Sequence, residues 1–253
     1  MITVCELVKE FYDKKRGTIR AVGGVSFECR PGEVFGLLGA NGAGKTTLLR
    51  MLGTILAPTS GTASVGGYDI HHAPNEVRRH IGYLSSTTAL YDRLTPREMV
   101  LYFARLSGLS AAEAKSRIQQ IFSDLDMLEF ADRRCDRLSS GQRQRVSIAR
   151  AIVHSPPVMI FDEPTNGLDV ITSRTIMDFI QKCRDEGRTV IFSTHIMSEA
   201  ERICDRIGVI HNGKMMALGT LPALRASTGE TALELVFLHL IGATTASGVG
   251  GLD

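Results

Sequence analysis

A glycine-rich segment near residue 40 has the composition and spacing of a phosphate-binding loop. It follows the pattern G-x-x-x-x-G-K-[ST], and its residues are Gly39, Ala40, Asn41, Gly42, Ala43, Gly44, Lys45 and Thr46. Glycines let the backbone curl so that successive N–H groups face phosphate oxygens, and the helix that follows adds the positive end of its dipole. The pattern predicts that Lys45 reaches the outer phosphates and that the Thr46 hydroxyl binds Mg²⁺. A glycine-rich turn that merely starts a helix is the alternative.

Two acidic residues stand at the end of an apolar run further along the chain. Asp162 follows the run 158–161, which is typical of a strand buried on both faces of a parallel sheet. Ligands of open α/β sheets bind at the carboxyl edge of the strands, so Asp162 is a candidate magnesium ligand. Because side chains alternate along an extended chain, Glu163 is predicted to point toward an attacking water as general base. Two solvated strand-end acids would be the ordinary interpretation without the upstream loop.

A histidine follows a third apolar run in the same way. His195 comes after the run 190–192 and two hydroxyl residues, so a parallel strand would bring it to the same edge. A lone histidine is more often structural, but this one stands at the end of a predicted strand, where the phosphates would lie. The first apolar run, residues 33–38, precedes the glycine-rich loop and follows a Pro-Gly turn. Together the three runs predict an α/β core.

Between the first two of these strands the pattern changes to that of helices. Thr95 and Glu98 form a capping box with proline at the first helical position, and Ser110 and Glu113 form a second one. Apolar residues at helical spacing follow each box. Residues from about 87 to 155 are therefore predicted to form mostly a helical lobe.

Composition limits the classes of protein that this chain can belong to. Its 253 residues suffice for one large domain, and 29 Lys+Arg against 27 Asp+Glu leave a formal net charge of +2. There is no basic run or aromatic-interleaved basic patch, so no nucleic-acid partner is predicted. Five scattered cysteines without a C-x-x-C pair indicate reduced thiols in a cytosolic protein. No apolar stretch approaches the ~18 residues of a transmembrane helix, so work at a membrane would need another chain's helices.

Five elements in one order make the chain resemble the ATP-binding-cassette ATPases. They are the glycine-rich loop, Leu138-Ser139-Ser140-Gly141-Gln142, Asp162-Glu163, Gly167-Leu168-Asp169 and His195. The resemblance implies an α/β fold with a P-loop NTPase (RecA-like) core, an antiparallel β subdomain and a helical signature subdomain. It divides the chain into an ATPase domain, 1–222, and a C-terminal extension, 223–253. In that extension Leu233, Phe237 and Leu240 predict one face of a short helix, and the glycine-, serine- and threonine-rich end is expected to be disordered.

The resemblance also implies a mechanism with ATP and Mg²⁺. Two ATPase domains, expected to be copies of the same chain, close head to tail. The signature residues of one domain, Ser139, Gly141 and Gln142, then contact ATP held by Lys45 and Thr47 of the other. By position in the family pattern, Glu163 is the base, His195 the γ-phosphate sensor and Asp169 part of the loop that crosses the dimer. Phe11 would stack on adenine, although an aromatic residue in an N-terminal strand is equally typical of ordinary packing.

Two positions depart from the family pattern. Ser140 stands where the signature usually has glycine, and its Cβ would crowd the phosphate slightly. Ser86 stands near the position of a glutamine that touches the metal and links the core to the helical lobe. Serine is too short to do both, so a hinge role is favoured and metal contact would pass through a water. We still expect the chain to hydrolyse ATP.

Residues 84–95 look like the corresponding segment in ATPases of two-component exporters, particularly sodium-efflux systems. This likeness implies a separate integral membrane permease that docks around Tyr91 and Asp92, and a peripheral location on the cytoplasmic face of the cell membrane. One alternative is a soluble cassette ATPase acting on nucleic acid or ribosomes. Lys45 and Ser139 are only 94 positions apart, however, which leaves no room for a zinc or coiled-coil insert. A non-hydrolytic binding module is the other alternative, and the presence of both Glu163 and His195 argues against it.

Overall fold

The computed structural model describes residues 1–15, 17–85 and 89–242. The departure noted at Ser86 lies outside these ranges, as does the stretch expected to be disordered, residues 242–253, except for its first residue. The strands are β1 (Ile2–Asp13), β2 (Gly17–Cys29), β3 (Val34–Leu38), β4 (Ser60–Val65), β5 (Tyr68–Asp69), β6 (Ile81–Leu84), β7 (Val158–Asp162), β8 (Thr189–Thr194), β9 (Arg206–His211) and β10 (Lys214–Gly219). The helices are α1 (Lys45–Leu52), α2 (Pro74–His80), α3 (Pro96–Leu106), α4 (Ala111–Asp124), α5 (Ser140–Ile152), α6 (Val170–Asp185), α7 (Met197–Ile203), α8 (Leu221–Thr228) and α9 (Leu233–Leu240).

The larger sheet contains the three strands predicted from the apolar runs. Its order is β10-β9-β3-β8-β7-β6, and all neighbours run parallel except β10, which pairs antiparallel with β9. Every residue of β3, β7 and β8 is buried, because helices cover both faces of the sheet. Ser193 pairs with Leu37 on one side and with Asp162 on the other, so the three strands end at one edge. The predicted α/β, P-loop NTPase core is confirmed.

The smaller sheet is the predicted antiparallel β subdomain. Its order is β2-β1-β4-β5, and each neighbouring pair is antiparallel. The long strands β1 and β2 pair along their whole length, with register shifts beginning after Val4. The sheet places Ala21 of β2 beside the glycine-rich loop, where its carbonyl oxygen lies close to Gly44.

The helical subdomain is built from α3, α4 and α5. Both predicted capping boxes are present: the Glu98 amide donates to the Thr95 hydroxyl across 3.2 Å, and the Glu113 amide donates to the Ser110 hydroxyl across 3.3 Å. The three helices share a buried apolar cluster, to which Phe122 contributes a fully buried ring. Local capping signals therefore predicted where two of these helices begin.

The C-terminal part of the described chain packs onto the larger sheet. Asn212 and Gly213, which connect β9 to β10, both have positive φ angles, 47° and 75°, as a two-residue hairpin turn requires. The predicted terminal helix is α9, and it buries Leu233 and Phe237 in a cluster with residues of β9. Helix α8 crosses residue 222, and the division of the chain there stays a prediction. Among the described residues, no helix combines the length and apolarity needed to cross a bilayer.

Candidate functional site

The glycine-rich loop connects β3 to α1 through a tight turn of the backbone. Gly44, the N-cap of α1, has a φ of 105°, in the left-handed region that glycine adopts without strain. A Cβ on Gly44 would lie 2.4 Å from the carbonyl oxygen of Ala21, and one on Gly39 would lie 2.4 Å from that of Ile210. At both positions a side chain would force the loop away from its neighbouring strands. These glycines therefore let the loop pack closely against β2 and β9.

The loop borders a cleft of about 450 Å³. Its lining residues are Ala21, Asn41, Gly42, Gly44, Lys45, Thr46, Thr47, Glu163 and Asn166. Seven of these come from the sequence prediction, whereas Ala21 and Asn166 were not predicted. Ala21 carries no chemical signal, since it is a small residue in a distant strand. The structure therefore brings the loop and the predicted base to one opening.

Lys45 holds its positive charge at the centre of this cleft. Its side chain is only 4% exposed, and its ammonium group donates to the carbonyl oxygens of Gly39 at 2.7 Å and Ala40 at 3.1 Å. The same nitrogen lies 3.2 Å from Oε1 of Glu163. Two backbone dipoles and one carboxylate therefore fix a buried cation beside the loop N–H groups. Such an arrangement suits the binding of a polyphosphate.

Three oxygen-bearing side chains meet where β7 and β8 end. The Thr46 hydroxyl donates to Oδ1 of Asp162 across 3.0 Å, and the Ser193 hydroxyl donates to the same oxygen across 2.8 Å. Asp162 is fully buried. Hydroxyl and carboxylate oxygens are ligands that Mg²⁺ prefers, and this pair lies beside the phosphate loop. Thr46 and Asp162 thus fit the predicted magnesium site.

Glu163 leaves the strand in a way that the sequence did not predict. The predicted orientation assumed an extended backbone, but β7 ends at Asp162 and Glu163 has a φ of +49°. A left-handed turn therefore sets the direction of its side chain, and strand alternation does not. The Glu163 amide donates to the Ser193 hydroxyl across 3.0 Å, which holds this turn in place. Its carboxylate is only 13% exposed.

His195 lies on the other side of the Glu163 carboxylate. Its Nδ1 is 3.4 Å from Oε2 of Glu163, and the two atoms do not form a hydrogen bond. That nitrogen is buried and makes no hydrogen bond among the described residues. The structure thus brings His195 to the edge that the sequence predicted. Its role as a phosphate sensor stays a prediction.

The signature segment begins α5 and does not line this cleft. The Ser139 hydroxyl accepts a hydrogen bond from the Gln142 amide at 3.2 Å, and the Gln142 side chain accepts one from the Ser139 amide at 3.0 Å. Ser139 and Ser140 are exposed, whereas Gly141 is buried. No signature residue is among those lining the cleft. Lys45 therefore lines a cleft to which the signature of the same chain does not contribute.

Asp169 and Phe11 also lie outside the lining of the cleft. Asp169 caps α6 by accepting from the Thr172 amide at 2.9 Å and from the Thr172 hydroxyl at 2.8 Å, and these hydrogen bonds lower the pKa of Asp169. Phe11 pairs with Ile19 in the smaller sheet and is 41% exposed, with the Lys9 ammonium 5.2 Å from its ring centroid. The contact of Phe11 with adenine stays a prediction.

Sequence reasoning missed residues that hold the predicted ones in place. Ser193 bonds both Asp162 and the Glu163 amide, and its only signal was a hydroxyl at the end of a buried strand. Gln144 donates its side-chain amide to the carbonyl of Pro164 across 2.7 Å. These contacts join segments that are far apart in the chain, and no local pattern reveals them.

Comparison with known proteins identifies the family. The sequence profile of the ABC transporter family matches residues 22–166, more than half of the chain. The chain is 42% identical over 239 residues to the ABC transporter ATP-binding protein NatA of Bacillus subtilis (strain 168), covering 94% of this chain and 97% of NatA. It is 40% identical over 220 residues to the Nod factor export ATP-binding protein I of Paraburkholderia xenovorans (strain LB400), covering 87% of this chain and 71% of that protein.

Two solved structures have the same fold. The ATP-binding subunit of an ABC transporter superposes with a TM-score of 0.85 at 30% identity, covering 95% of this chain and 99% of that one. The ATP-binding cassette MJ0796, as a dimer in a post-hydrolysis state bound to ADP and Pi, superposes with a TM-score of 0.78 at 28% identity, covering 87% of this chain and 98% of that one. This chain belongs to the ABC transporter family, as an ATP-binding subunit with ATPase activity and Mg²⁺ as its cofactor.

Proposed function

We propose that this chain hydrolyses ATP as one half of a head-to-tail pair of identical subunits, and that the pair powers export through a separate membrane permease. ATPase domains of this family work as dimers and pair with permeases. The observation that carries the proposal is that the Ser139 segment is not among the residues that line the cleft of its own chain. A second copy would supply that segment, with the exposed N-terminus of α5 facing the γ-phosphate.

The contacts in the cleft support specific roles for its residues. Lys45 and the loop N–H groups would bind the phosphates, and Glu163 would take a proton from the attacking water. As the water oxygen bonds to the γ-phosphorus, the bond to the bridging oxygen of ADP breaks and phosphate leaves. Mg²⁺ held by Thr46 and Asp162 would neutralise charge on the phosphate oxygens. The Ser193 hydroxyl would fix the position of the metal ligand, Asp162, relative to the base, Glu163.

The permease partner is supported by an apolar hollow on the helical subdomain. Its lining residues, which make a cavity of about 480 Å³, are Tyr91, Asp92, Arg93, Leu94 and Tyr102. The rings of Tyr91 and Tyr102 meet edge to face at 6.4 Å, and both side chains are more than half exposed. Exposed aromatic side chains around a hollow suit a short amphipathic helix from another protein. We propose that the permease docks here and holds the ATPase on the cytoplasmic face of the cell membrane.

Export of sodium is the narrower proposal. The direction of transport is supported by similarity to the Nod factor export protein. The choice of sodium as cargo is supported by the resemblance of residues 84–95 to the same segment in sodium-efflux ATPases. The ATPase subunit itself does not contact the cargo in this mechanism. We further propose that no nucleic acid takes part, since a net charge of +2 gives little attraction to a polyanion.

Deletion of the gene followed by complementation tests these proposals in order. The wild-type chain, purified with its permease, should hydrolyse ATP, and the Glu163→Gln chain should bind ATP without turnover. Sodium efflux should fall in the deletion strain and recover with the wild-type chain, but not with Glu163→Gln. Saturable ATP binding without turnover by the wild-type complex would contradict the enzymatic role. Unchanged sodium efflux and sodium tolerance in the deletion strain would contradict only the choice of cargo.

A further inference from the structure

Thr172 binds Asp169 through two hydrogen bonds in the first turn of α6. Its amide donates to Oδ1 of Asp169 across 2.9 Å, and its hydroxyl donates to Oδ2 across 2.8 Å. The side chain is buried, with 8% of the residue exposed. Both carboxylate oxygens are engaged by one residue, so the orientation of Asp169 depends on the position of Thr172.

The Thr172 side chain also lies against the signature segment. A Cβ built on Gly141 would lie 2.8 Å from the Thr172 hydroxyl oxygen and 2.9 Å from its methyl carbon. Real Cβ atoms do not come so close to a neighbour, so the starts of α5 and α6 touch without room for one methyl group. Any movement of Gly141 toward α6 must therefore displace Thr172.

A second contact joins α5 to the residue that follows Glu163. Gln144, one turn beyond Gly141, donates its side-chain amide to the carbonyl of Pro164 across 2.7 Å. The chain between the two contacts is stiffened by its own turns: the Asn166 amide donates to the Glu163 carbonyl at 3.3 Å, and the Leu168 amide donates to the Thr165 carbonyl at 3.1 Å. Helix α5 thus contacts both ends of the segment 164–172.

We propose that Thr172 and Gln144 are positioning residues that couple the signature segment of each subunit to its own Glu163. The inference rests on the proposed head-to-tail pair. In that pair the start of α5 faces ATP bound by the second copy, while Glu163 faces ATP bound by its own chain. A shift of α5 when the second copy binds ATP is transmitted through Thr172 and Pro164 to the turn that orients the base. Each site therefore hydrolyses faster when the other is filled.

The test compares steady-state hydrolysis over a range of ATP concentrations for the full chain. Thr172→Val removes the hydroxyl and keeps the branched shape, whereas Thr172→Ser keeps the hydroxyl. Thr172→Val should lower kcat about tenfold, because the base is misplaced by a fraction of an ångström. It should also bring the Hill coefficient from its wild-type value down to about 1. Gln144→Leu should act in the same direction, and Thr172→Ser should restore both quantities.

Two further measurements separate coupling from folding and from assembly. Thr175 lies partly exposed on the same helix and its hydroxyl donates to the carbonyl oxygen of Ile171, one turn earlier, at 3.2 Å, so Thr175→Val should leave kcat and the Hill coefficient unchanged. In a Glu163→Gln background, Thr172→Val should still form the dimer with ATP, with an affinity within about twofold of the parent.

The coupling would be overturned by a wild-type Hill coefficient of about 1. Wild-type kinetics of Thr172→Val, or a Thr172→Ser chain that is as impaired as Thr172→Val, would also overturn it. So would loss of the ATP-bound dimer in the chain that carries both Glu163→Gln and Thr172→Val. A wild-type chain without any turnover would instead overturn the proposed function, and the coupling with it. The two failures are therefore distinguishable.

Discussion

The ammonium nitrogen of Lys45 lies 3.2 Å from Oε1 of Glu163, so the loop cation and the predicted base share one ion pair. Both side chains are largely buried, at 4% and 13% exposed, and water screens the contact little. A γ-phosphate bound by Lys45 would compete with Glu163 for this cation. Binding of ATP would then release the carboxylate toward water, which links substrate binding to activation of the base.

Replacement of the loop lysine should weaken ATP binding strongly. Lys45→Met removes a buried cation whose charge-assisted hydrogen bonds contribute about 1.5–3 kcal/mol, equivalent to a Kd raised about 10- to 150-fold. Equilibrium dialysis with labelled ATP measures this change. Lys214→Met, at an exposed position of β10, is the matched control and should leave Kd as it is. Equal affinities for the two variants would show that Lys45 does not bind the phosphates.

Ser193 should matter for both stability and turnover. Ser193→Ala leaves the Glu163 amide without its hydroxyl acceptor and removes one hydroxyl donor to Asp162, which keeps that of Thr46, at a cost of about 1–3 kcal/mol in the free energy of unfolding. We expect kcat to fall about tenfold, since the base loses its support. Urea unfolding and steady-state hydrolysis measure the two effects. Ser107→Ala, on the exposed end of α3, is the control, and a Ser193→Ala chain that matches it would contradict the assignment.

Substitution of Gly141 should be damaging, whereas substitution of its neighbour Ser140 should be tolerated. Gly141→Ala places a methyl group against Thr172 and should separate α5 from α6, at about 1–3 kcal/mol of stability and with most turnover lost. Ser140 is exposed, and Ser140→Gly, which restores the usual family residue, should keep kcat within about twofold of wild type. Unfolding curves and kcat for both variants test this contrast. A Gly141→Ala chain that is as active as Ser140→Gly would rule out the close helix contact.

The stability of the chain should depend on pH through His154. Burial lowers the pKa of His154 from its ordinary value of 6.5, and its Nε2 lies 3.0 Å from the carbonyl oxygen of Ile81. The unfolded chain therefore takes up a proton more readily than the folded chain as the pH falls through 6.5. The contribution of neutral, buried His154 to the free energy of unfolding should therefore be present above this pH and be lost progressively below it. Urea midpoints between about pH 7 and pH 5 measure the loss, and His154→Gln should flatten the dependence. An equally steep curve for that variant would assign the effect to other groups.

Local signals in the sequence predicted much of the fold and the loop. Continuous apolar runs marked β3, β7 and β8, and capping boxes marked the starts of α3 and α4, because these features depend on residues close together in the chain. The Lys45, Asp162 and Glu163 assignments followed, since parallel strands end at one sheet edge.

Features that depend on tertiary contacts could not be predicted in this way. Ser193 looked like any hydroxyl at a strand end, yet its position between Asp162 and Glu163 follows from the register of β7 and β8. The left-handed backbone of Glu163 contradicted the alternation expected of an extended strand. Thr172 and Gly141 are neighbours only because two helices approach closely, and spacing in the sequence does not reveal that approach.

The oligomeric state of the Glu163→Gln chain with Mg²⁺ and ATP, measured by light scattering, tests whether a second copy completes the site. We expect a monomer without nucleotide and a dimer at saturating ATP, with hydrolysis lowered about 10²- to 10⁴-fold. Glu129→Gln, at an exposed site on the helical subdomain, should hydrolyse ATP like the wild type. A Glu163→Gln chain that binds ATP and stays monomeric would contradict the claim that a second copy's signature segment completes the site.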